Sequence, residues 1–491
     1  MNTFFEQAKW LIVIELLYML LMILVCIRII FDTRSVSKTL AYLLFVFFVP
    51  VIGIIFYFSF GINYRKRKIY NRKLEIDERL KKELETTLDE YNKTIPELEN
   101  ISIQKNLKLI NLVANRKAGN TSVLPNHSVE ILHNGEVLYP KMLEELRKAK
   151  SHIHIEYYIY ENDKIGNEIK DILIEKARQG VEVRFIYDDF GSKDIRKNIV
   201  RELRAAGVQA YPFNKIYFIL LANRLNYRNH RKIVVIDGKT SFIGGINVSD
   251  RYINPSPTGR YWRDVHLMIK GYSSLSLQRI FLSDWNFCSE ENILIDKNYF
   301  PLNTVAYDKA IYTQIVSSGP DSDLPNILYA IVQAVNSAQK EVLLTTPYYV
   351  PDVSLQEALV IASLSGVDVR ILVPKKGDSK AVDIVTKSFF DTLLRAGVKV
   401  YIYEKGFVHS KTFVVDGQLA SVGTANLDMR SFDLNFEVSA LVYDEKIAKE
   451  LRDSFYKDLE DAEQIDSQRW RKRSKIKRFI ERIVRLTSPF M

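Results

Sequence analysis

Two short phrases of the chain combine histidine and lysine in the same way. In each, a lysine follows the histidine by two positions, and an apolar run then leads to an aspartate. The match continues to a glycine and an asparagine, so the pattern H-x-K-x4-D-x6-G-x2-N occurs twice. Its polar members are His230, Lys232, Asp237 and Asn247 in the first copy and His409, Lys411, Asp416 and Asn426 in the second. One copy would be weak evidence of a site, whereas two complete copies indicate a function.

These side chains suit the chemistry of a phosphodiester. One histidine can attack phosphorus and form a covalent intermediate, while the other protonates the leaving alkoxide and then deprotonates the acceptor. Lysine and asparagine can stabilise charge on the phosphoryl oxygens. After the first product leaves, an alcohol can replace water as the acceptor. We find no H-x-x-x-H, cysteine cluster or carboxylate set with metal-ligand spacing, which favours a route without metal or cofactor.

Strand geometry explains how each phrase presents its residues. Residues two apart in a strand share a face, so the histidine and lysine of each phrase project together. The apolar run predicts a buried strand, and the Asp-Gly pair after it predicts a hairpin turn into a second strand. Asp237 and Asp416 lie in these turns. They can act in catalysis, or they can cap the turn and hold the strand geometry.

The sequence around the phrases is duplicated. Three further stretches recur in the same order at offsets of 189, 186 and 190 residues, beside the 179 residues between the two histidines. They begin at Ala149, Gly180 and Leu203 in the first copy and at Ala338, Gly366 and Leu393 in the second. Each copy alternates strands with helices. This predicts an α/β fold of two duplicated domains, each a mixed β-sheet flanked by helices, related by a pseudo-twofold axis that brings both phrases into one cleft.

The first sixty residues are far more apolar than the rest. Residues 10–30 and 39–60 each reach the roughly 20 residues that a membrane-spanning helix needs, which predicts an N-terminal transmembrane hairpin of two helices. Residues 65–73 then carry six basic side chains and no acid, and the positive-inside rule places them in the cytoplasm. We therefore expect an integral membrane protein with both termini and the body in the cytoplasm. The two cysteines fit a reducing compartment.

The net charge of +10 is concentrated at two flanks of the body. Besides residues 65–73, the tail 469–485 carries nine basic residues and one acid, which leaves the remainder slightly acidic. Basic clusters beside a membrane bind anionic phospholipid headgroups, and apolar residues at helical spacing in the tail predict an interfacial amphipathic helix. A solvated basic terminus is the alternative. The near-neutral body disfavours nucleic acid as a partner.

These patterns divide the chain into five parts. They are an anchor (1–62), a charged helical linker that lifts the body off the bilayer (63–114), a first domain (115–305), a second domain (306–465) and a basic amphipathic tail (466–491). The apolar segment 215–227 either dips into the membrane or forms an ordinary buried helix. The sequence carries no signal for an oligomeric state.

At the two phrases the sequence resembles the phospholipase D superfamily, and the residues around them resemble the bacterial cardiolipin synthases. The N-terminal hairpin and the ending "RLTSPFM" are similar to that family as well. The resemblance implies a phosphatidyltransferase of the bacterial cell membrane that joins two phosphatidylglycerol molecules into cardiolipin and releases glycerol. A lipid hydrolase or a transferase with another alcohol acceptor stays open, since acceptor choice depends on pocket shape.

The resemblance also implies roles for individual residues. His230 would form the phosphohistidine and His409 would act as acid and base, while the lysines and asparagines bind phosphate. Glu437 matches the family's acidic residue that steadies a catalytic histidine. Asp264 is the candidate for its counterpart, although it follows the first histidine by 34 residues, against 28 for Glu437 after the second.

Overall fold

A computed structural model describes residues 2–32, 36–58, 73, 75–84, 100–115, 121–213, 227–289, 291–301 and 309–488. The helices within these ranges are α1 (Asn2–Asp32), α2 (Val36–Phe48), α3 (Pro50–Phe56), α4 (75–84), α5 (Ile101–Lys105), α6 (Leu107–Ala114), α7 (Asn134–Lys148), α8 (Lys164–Arg178), α9 (Ile199–Ala205), α10 (Ser273–Ser289), α11 (Asn326–Ser337), α12 (Val353–Leu364), α13 (Lys380–Ala396), α14 (Met429–Asp433), α15 (Glu445–Glu460), α16 (Ser467–Arg471) and α17 (Lys475–Arg485). Apart from Tyr227, the apolar segment 215–227 lies outside the described residues.

The strands alternate with these helices through both copies of the repeat. They are β1 (Leu124–His133), β2 (His152–Tyr157), β3 (Glu182–Asp188), β4 (Gln209–Phe213), β5 (Lys232–Ile236), β6 (Thr240–Gly244), β7 (Tyr261–Arg263), β8 (Val265–Gly271), β9 (Ile311–Ser318), β10 (Glu341–Thr345), β11 (Tyr349–Val350), β12 (Asp368–Pro374), β13 (Lys399–Tyr403), β14 (Gly406–Val408), β15 (Thr412–Val415), β16 (Leu419–Gly423), β17 (Leu427–Asp428), β18 (Glu437–Tyr443) and β19 (Ala462–Gln464).

One continuous sheet joins the two copies. Its order is β19-β13-β12-β10-β15-β16-β18-β9-β1-β8-β6-β5-β2-β3-β4, and the copies meet where β1 pairs antiparallel with β9. Moving outward from that joint, strands that correspond in the sequence repeat occur in the same order on both sides. The halves are therefore related by a pseudo-twofold axis, which confirms the predicted duplicated α/β fold. A shared apolar cluster, with Val235 from one half and Val438 from the other, packs across the joint.

The two hairpins that carry the phrases form as predicted. β5 pairs antiparallel with β6, and β15 pairs antiparallel with β16. Asp237 and Asp416 begin the connecting turns with φ of 53°, and the glycine after each has φ of 64°. Positive φ at both central residues is the geometry of a type I′ turn, which matches the twist of the flanking strands. Short hairpins thus fix the register of both motif strands.

The described parts of the predicted charged linker (73, 75–84 and 100–114) pack against the body instead of standing apart from it. Leu80 and Leu84 of α4 are buried in a cluster with Trp285, and α6 contributes apolar side chains to the core of the second half. Lys73 was expected to bind headgroups, but it is 1% exposed and its Nζ lies 2.9 Å from Asp284. Burial of both apolar and charged side chains makes these described residues part of the folded body.

The N-terminal anchor agrees with the sequence in its first helix only. α1 contains an apolar stretch, Trp10–Asp32, that is long enough to cross a bilayer, and it is the one helix of this kind among the described residues. The second predicted span is divided, because α2 ends at Phe48 and α3 begins at Pro50. Proline has no N–H to continue the hydrogen-bond ladder of a helix, which accounts for the interruption.

The basic tail forms an amphipathic helix, as predicted. α17 packs on α13, where the Arg485 guanidinium lies 4.1 Å from the Phe389 ring centroid. Just before it, Trp470 packs on Phe390 with ring centroids 5.6 Å apart. The apolar side chains left exposed on α17 and at its end are Ile476, Phe479, Ile480, Ile483 and Leu486. Contact of this face with a membrane stays a prediction.

Candidate active site

Each histidine is held in place by the backbone of the opposite half. His230 lies just before β5, and its N–H donates to the carbonyl of Phe436 at 2.9 Å. His409 lies just before β15, and its N–H donates to the carbonyl of Arg263 at 2.7 Å. Phe436 and Arg263 are the residues that directly precede the two candidate acidic residues. The pseudo-twofold relation therefore extends to the hydrogen bonds of the site.

The two carboxylates pair with the histidines across the joint. Nδ1 of His230 lies 3.1 Å from Oε1 of Glu437, and Nδ1 of His409 lies 2.7 Å from Oδ2 of Asp264. Glu437 opens β18 and Asp264 directly precedes β8, so the acids occupy corresponding places. The extra residues between β6 and β8 form a short helical turn and β7, which explains the unequal spacing. Each imidazole thus has its Nδ1 beside a buried carboxylate, which leaves Nε2 for chemistry.

The two lysines lie buried beside the histidines. Nζ of Lys232 donates to the carbonyl of His230 at 2.8 Å, and Nζ of Lys411 donates to the carbonyl of His409. Burial lowers the pKa of Lys232 to about 7, and the charge on Lys411 contributes to the shift. Burial likewise lowers the pKa of Lys411 to about 8. Both ammonium groups are held where water solvates them poorly and where an anion would be bound strongly.

Burial also sets the protonation state of the imidazoles. It lowers the pKa of His409 to about 4, with repulsion from Lys411 acting in the same direction. Burial and Lys232 lower the pKa of His230, although Glu437 acts against them. In spite of burial, His409 holds the pKa of Asp264 below its ordinary value. At neutral pH the site therefore combines neutral imidazoles with ionised carboxylates.

The asparagines of the pattern are buried close to the site. Asn247 accepts from the N–H of Ile159 at 3.2 Å, and its Nδ2 donates to the Tyr252 hydroxyl at 2.8 Å. Asn426 lies beside Asp428, and its Oδ1 has no hydrogen-bond partner among the described residues. Asn247 therefore holds the loop after β6 in place, and the amide of Asn426 is the less constrained of the two.

Asp237 and Asp416 are not brought to the histidines. The Asp237 carboxylate accepts from the N–H groups of residues 150–152, at 2.8 to 3.2 Å. Asp416 accepts in the same way from residues 339–341. Both carboxylates sit at the far end of the motif strand, about 17 Å along the chain from the lysine. Their contacts match the turn-holding alternative.

Aromatic rings enclose both histidines. The ring centroid of Tyr158 lies 4.4 Å from that of His230. Around His409, the ring centroids of Phe407, Trp262 and Tyr252 lie 5.5, 5.8 and 5.9 Å away. Sequence reasoning missed the three rings around His409. The position of Trp262, two residues before Asp264, was the available signal.

A buried ionic network lies beneath the first motif, and sequence reasoning missed it. Arg231 points to the opposite face of the strand from His230 and Lys232, and its guanidinium pairs with Asp284. Asp284 also pairs with Lys73, whose Nζ lies 2.7 Å from Asp321 of the second half. The network ties Lys73, α10 and the loop after β9 to the floor of the site. In the described parts of the chain, no three His, Cys, Asp or Glu side chains group as metal ligands.

Known proteins share both the sequence and the fold. The family described as "Cardiolipin synthase, PLD-like domain" matches residues 142–285 and 331–459, and "Phospholipase_D-nuclease N-terminal" matches residues 20–61. The chain is 41% identical to a cardiolipin synthase of Geobacillus sp. (strain WCH70), over 94% of this chain and 90% of that one. It is also 41% identical to the major cardiolipin synthase ClsA of Bacillus subtilis (strain 168), over 97% of this chain and 98% of that one.

Among solved structures, a phosphatidylserine synthase of Haemophilus influenzae has the same fold. The TM-score is 0.60 at 14% identity, and the match covers 80% of this chain and all of that one. The full-length relatives, the two family matches and a site built from both repeats agree with one another. The chain therefore belongs to the cardiolipin synthase family of phospholipase D-like enzymes.

Proposed function

We propose that this enzyme makes cardiolipin and glycerol from two molecules of phosphatidylglycerol, through a phosphohistidine and without a metal ion. The observation that carries the proposal is the crosswise pairing of two buried histidines with two carboxylates, at 3.1 and 2.7 Å, beside two buried lysines. That arrangement supplies a nucleophile, an acid–base group and charge for a phosphodiester. The names of the relatives support cardiolipin as the product.

In the first step, His230 attacks phosphorus of one phosphatidylglycerol. Its Nε2–P bond forms while the bond from phosphorus to the glycerol oxygen breaks, and His409 gives its proton to that oxygen. The Glu437 carboxylate, 3.1 Å from Nδ1 of the nucleophile, favours the proton on that nitrogen, which keeps Nε2 unprotonated. Glycerol leaves as the first product, and the phosphatidyl group stays on the histidine.

In the second step, a hydroxyl of another phosphatidylglycerol accepts the phosphatidyl group. His409 removes the hydroxyl proton as the oxygen bonds to phosphorus and the N–P bond breaks. Cardiolipin is released, and both histidines return to their starting protonation states. The atoms balance without water, oxidant or metal.

The charges of the site follow the course of this reaction. The phosphodiester brings one negative charge next to Lys232 and Lys411, which favours their charged forms and that of His409. Substrate binding therefore supplies the protonated acid that the free enzyme lacks at neutral pH. The lysines then stabilise the charge that develops on the phosphoryl oxygens.

We also propose that the body lies on the cytoplasmic face of a bacterial cell membrane. The basic stretch 65–73 supports this orientation by the positive-inside rule. Anionic phospholipids are then both substrates and surface partners, with the basic side chains of residues 65–72 and of the tail as the attracting charges.

One reconstitution tests the reaction. Purified enzyme in vesicles of phosphatidylglycerol alone, with a chelator present, is expected to yield cardiolipin and glycerol in equal amounts. Phosphatidic acid as the sole product would indicate a hydrolase, and loss of turnover with the chelator would exclude the metal-free route. Supplying another alcohol and finding it preferred would indicate a different acceptor.

Radiolabelled lipid phosphate tests the intermediate. A label that is acid-labile and base-stable is expected on the protein, and it is expected to disappear in His230→Asn. It should persist, without turnover, in His409→Asn. His127→Asn, which changes an exposed histidine away from the site, is the matched control and should behave as the wild type. Label on His409 instead would reverse the two roles.

A further inference from the structure

The second apolar run of the anchor turns back on itself. Tyr42 in α2 and Tyr57 after α3 have ring centroids 5.5 Å apart. A straight helix would separate these two residues by about 22 Å along its axis. Gly53 of α3 lies so close to α2 that an added Cβ would stand 2.5 Å from the carbonyl oxygen of Phe45. The two helices therefore form a tight helical hairpin, with the turn at Val49 and Pro50.

Two backbone hydrogen bonds connect the turn to the helices on either side of it. The N–H of Val49 donates to Phe45 at 3.0 Å, and the carbonyl of Val49 accepts from the N–H of Gly53 at 2.6 Å. Pro50 has no N–H to satisfy. A break in a helix at membrane depth needs partners for its polar groups, and these two hydrogen bonds supply part of them.

Both ends of this hairpin meet the same end of α1. The Tyr57 hydroxyl donates to Asp32, the last residue of α1, at 3.1 Å. Ile29, one turn earlier, is buried in a cluster with Tyr42, in the middle of α2. α2 itself begins at Val36, four residues after the end of α1. α2 has 13 residues and is about 20 Å long, against about 30 Å for the hydrocarbon core of a bilayer. The hairpin thus starts and ends on one side and is too short to reach the other.

The side on which the hairpin starts is the side of the catalytic body. Nζ of Lys38 lies 3.0 Å from Asp433, the last residue of α14. If α1 and the run after it both crossed the bilayer, residue 38 would lie on the far side, about 30 Å from the body. The ion pair is incompatible with that arrangement.

The distribution of charge agrees with the contacts. In the sequence, the basic residues Arg28, Arg34 and Lys38 and the acidic Asp32 lie around the end of α1, whereas Lys9 is the one basic side chain in residues 1–9. The positive-inside rule therefore places the end of α1 in the cytoplasm and the start of α1 outside. The hairpin presents lipid with a row of exposed apolar side chains. They are Leu40, Leu44, Phe47, Phe48, Val51, Ile52 and Ile55.

We propose that α1 crosses the membrane once, with its N-terminus outside, and that α2 and α3 form a re-entrant hairpin in the cytoplasmic leaflet beside the body. The partner of the exposed hairpin surface is the acyl-chain region of that leaflet. This differs from the two crossings expected from hydropathy, because hydropathy does not register a reversal of direction. It also holds the body directly against the leaflet that contains its lipids.

Cysteine labelling decides between the arrangements. In a Cys26→Ala, Cys288→Ala background, Asn2→Cys and Val36→Cys would be treated with a membrane-impermeant maleimide in spheroplasts and in inverted membrane vesicles. We expect Asn2→Cys to react in spheroplasts only and Val36→Cys in inverted vesicles only. Glu445→Cys, exposed on the body, is the orientation control, and detergent-treated samples show that each site is reactive.

Two results would overturn the proposal. Two crossings would reverse the pattern, with Val36→Cys reacting in spheroplasts. An anchor that does not cross would leave both positions reactive in inverted vesicles only. If Val36→Cys does not react even in detergent, Lys38→Cys is labelled in its place. The proposal then predicts reaction of Lys38→Cys in inverted vesicles only, and its reaction in spheroplasts would indicate two crossings.

Charge reversal tests the docking contact independently. Lys38→Glu or Asp433→Lys alone is expected to lower turnover in vesicles about two- to fivefold, the size of effect typical of a partly exposed ion pair. The double variant should recover it. Additive losses in the double variant would contradict the contact, because residues on opposite sides of a membrane cannot compensate for each other.

Discussion

At the scale of residues, the site depends on pairs that cross between the halves. Asp264 belongs to the first repeat but contacts His409 of the second, and Glu437 of the second contacts His230 of the first. A carboxylate at Nδ1 fixes the tautomer of an imidazole and stabilises its protonated form. Neither half therefore contains a complete histidine–carboxylate pair of its own.

The first prediction concerns these carboxylates. Asp264→Asn is expected to lower kcat about 10²- to 10⁴-fold, because the amide can hold the wrong tautomer of His409. Steady-state cardiolipin formation measures the effect, and Glu437→Gln should act similarly through His230. Asp194→Asn, at an exposed position, is the control. A loss below about threefold would argue against the positioning role.

The second prediction concerns the lysines. Phosphate binding requires charged ammonium groups, and burial lowers the pKa of Lys232 to about 7 and of Lys411 to about 8. Because a lowered pKa means that charge is lost as pH rises through it, kcat/KM is expected to fall between about pH 7 and 8. In Lys232→Arg, whose guanidinium stays charged, the residual activity should fall at a higher pH, set by the pKa of Lys411 at about 8. If kcat/KM of the wild type fell only near pH 10, where an ordinary lysine loses its charge, this account would be contradicted.

At the scale of elements, the motif aspartates serve the hairpin turns. Asp237 binds three consecutive backbone N–H groups that lead into β2, and Asp416 does the same for β10. A carboxylate that accepts from the chain ahead of a neighbouring strand joins the two strands at their ends. These residues hold the motif strand in register with its neighbour.

The third prediction follows from this placement. Asp237→Ala is expected to cost about 1–3 kcal/mol of stability by leaving backbone donors unpaired, while kcat per folded molecule changes less than about twofold. Asp237→Asn keeps an acceptor oxygen and tolerates the positive φ, so it should be milder. Thermal unfolding and turnover on the same samples distinguish the two effects. A collapse of kcat with unchanged unfolding would restore a catalytic role.

At the scale of the whole molecule, one lysine connects the segment after the anchor with both halves. Lys73 pairs with Asp284 of the first half and Asp321 of the second, although it is almost fully buried. Burial opposes its charge, but these two carboxylates raise its pKa above the ordinary value. The same Asp284 pairs with Arg231, the residue between the motif's histidine and lysine.

The fourth prediction tests that connection. Lys73→Met is expected to destabilise the body by about 3–5 kcal/mol, because it removes the cation paired with buried Asp321 and leaves Asp284 with Arg231 alone. Unfolding temperature and resistance to proteolysis measure the loss. Arg79→Ala removes an exposed ion pair on α4, and it should change the unfolding temperature and the resistance to proteolysis only slightly. Equal effects of the two variants would show that the buried network is not stabilising.

The sequence alone determined which chemical groups the site contains. Strand alternation, the Asp-Gly turns and the repeat offsets are local or internal properties of the chain, and they predicted two hairpins, two histidine–lysine pairs and the duplicated α/β fold. Apolar length likewise predicted α1. Each of these features depends on neighbours within about ten residues or on comparison of the chain with itself.

Only the tertiary structure decided which groups meet. The pairing of β1 with β9 joins segments nearly two hundred residues apart, and it sets Asp264 against His409 and Glu437 against His230. No pattern of spacing specifies that crossing, because it arises from the packing of two halves about an axis. The burial of Lys73 and the reversal at Pro50 are hidden from composition for the same reason, since hydropathy and charge record neither direction nor partner.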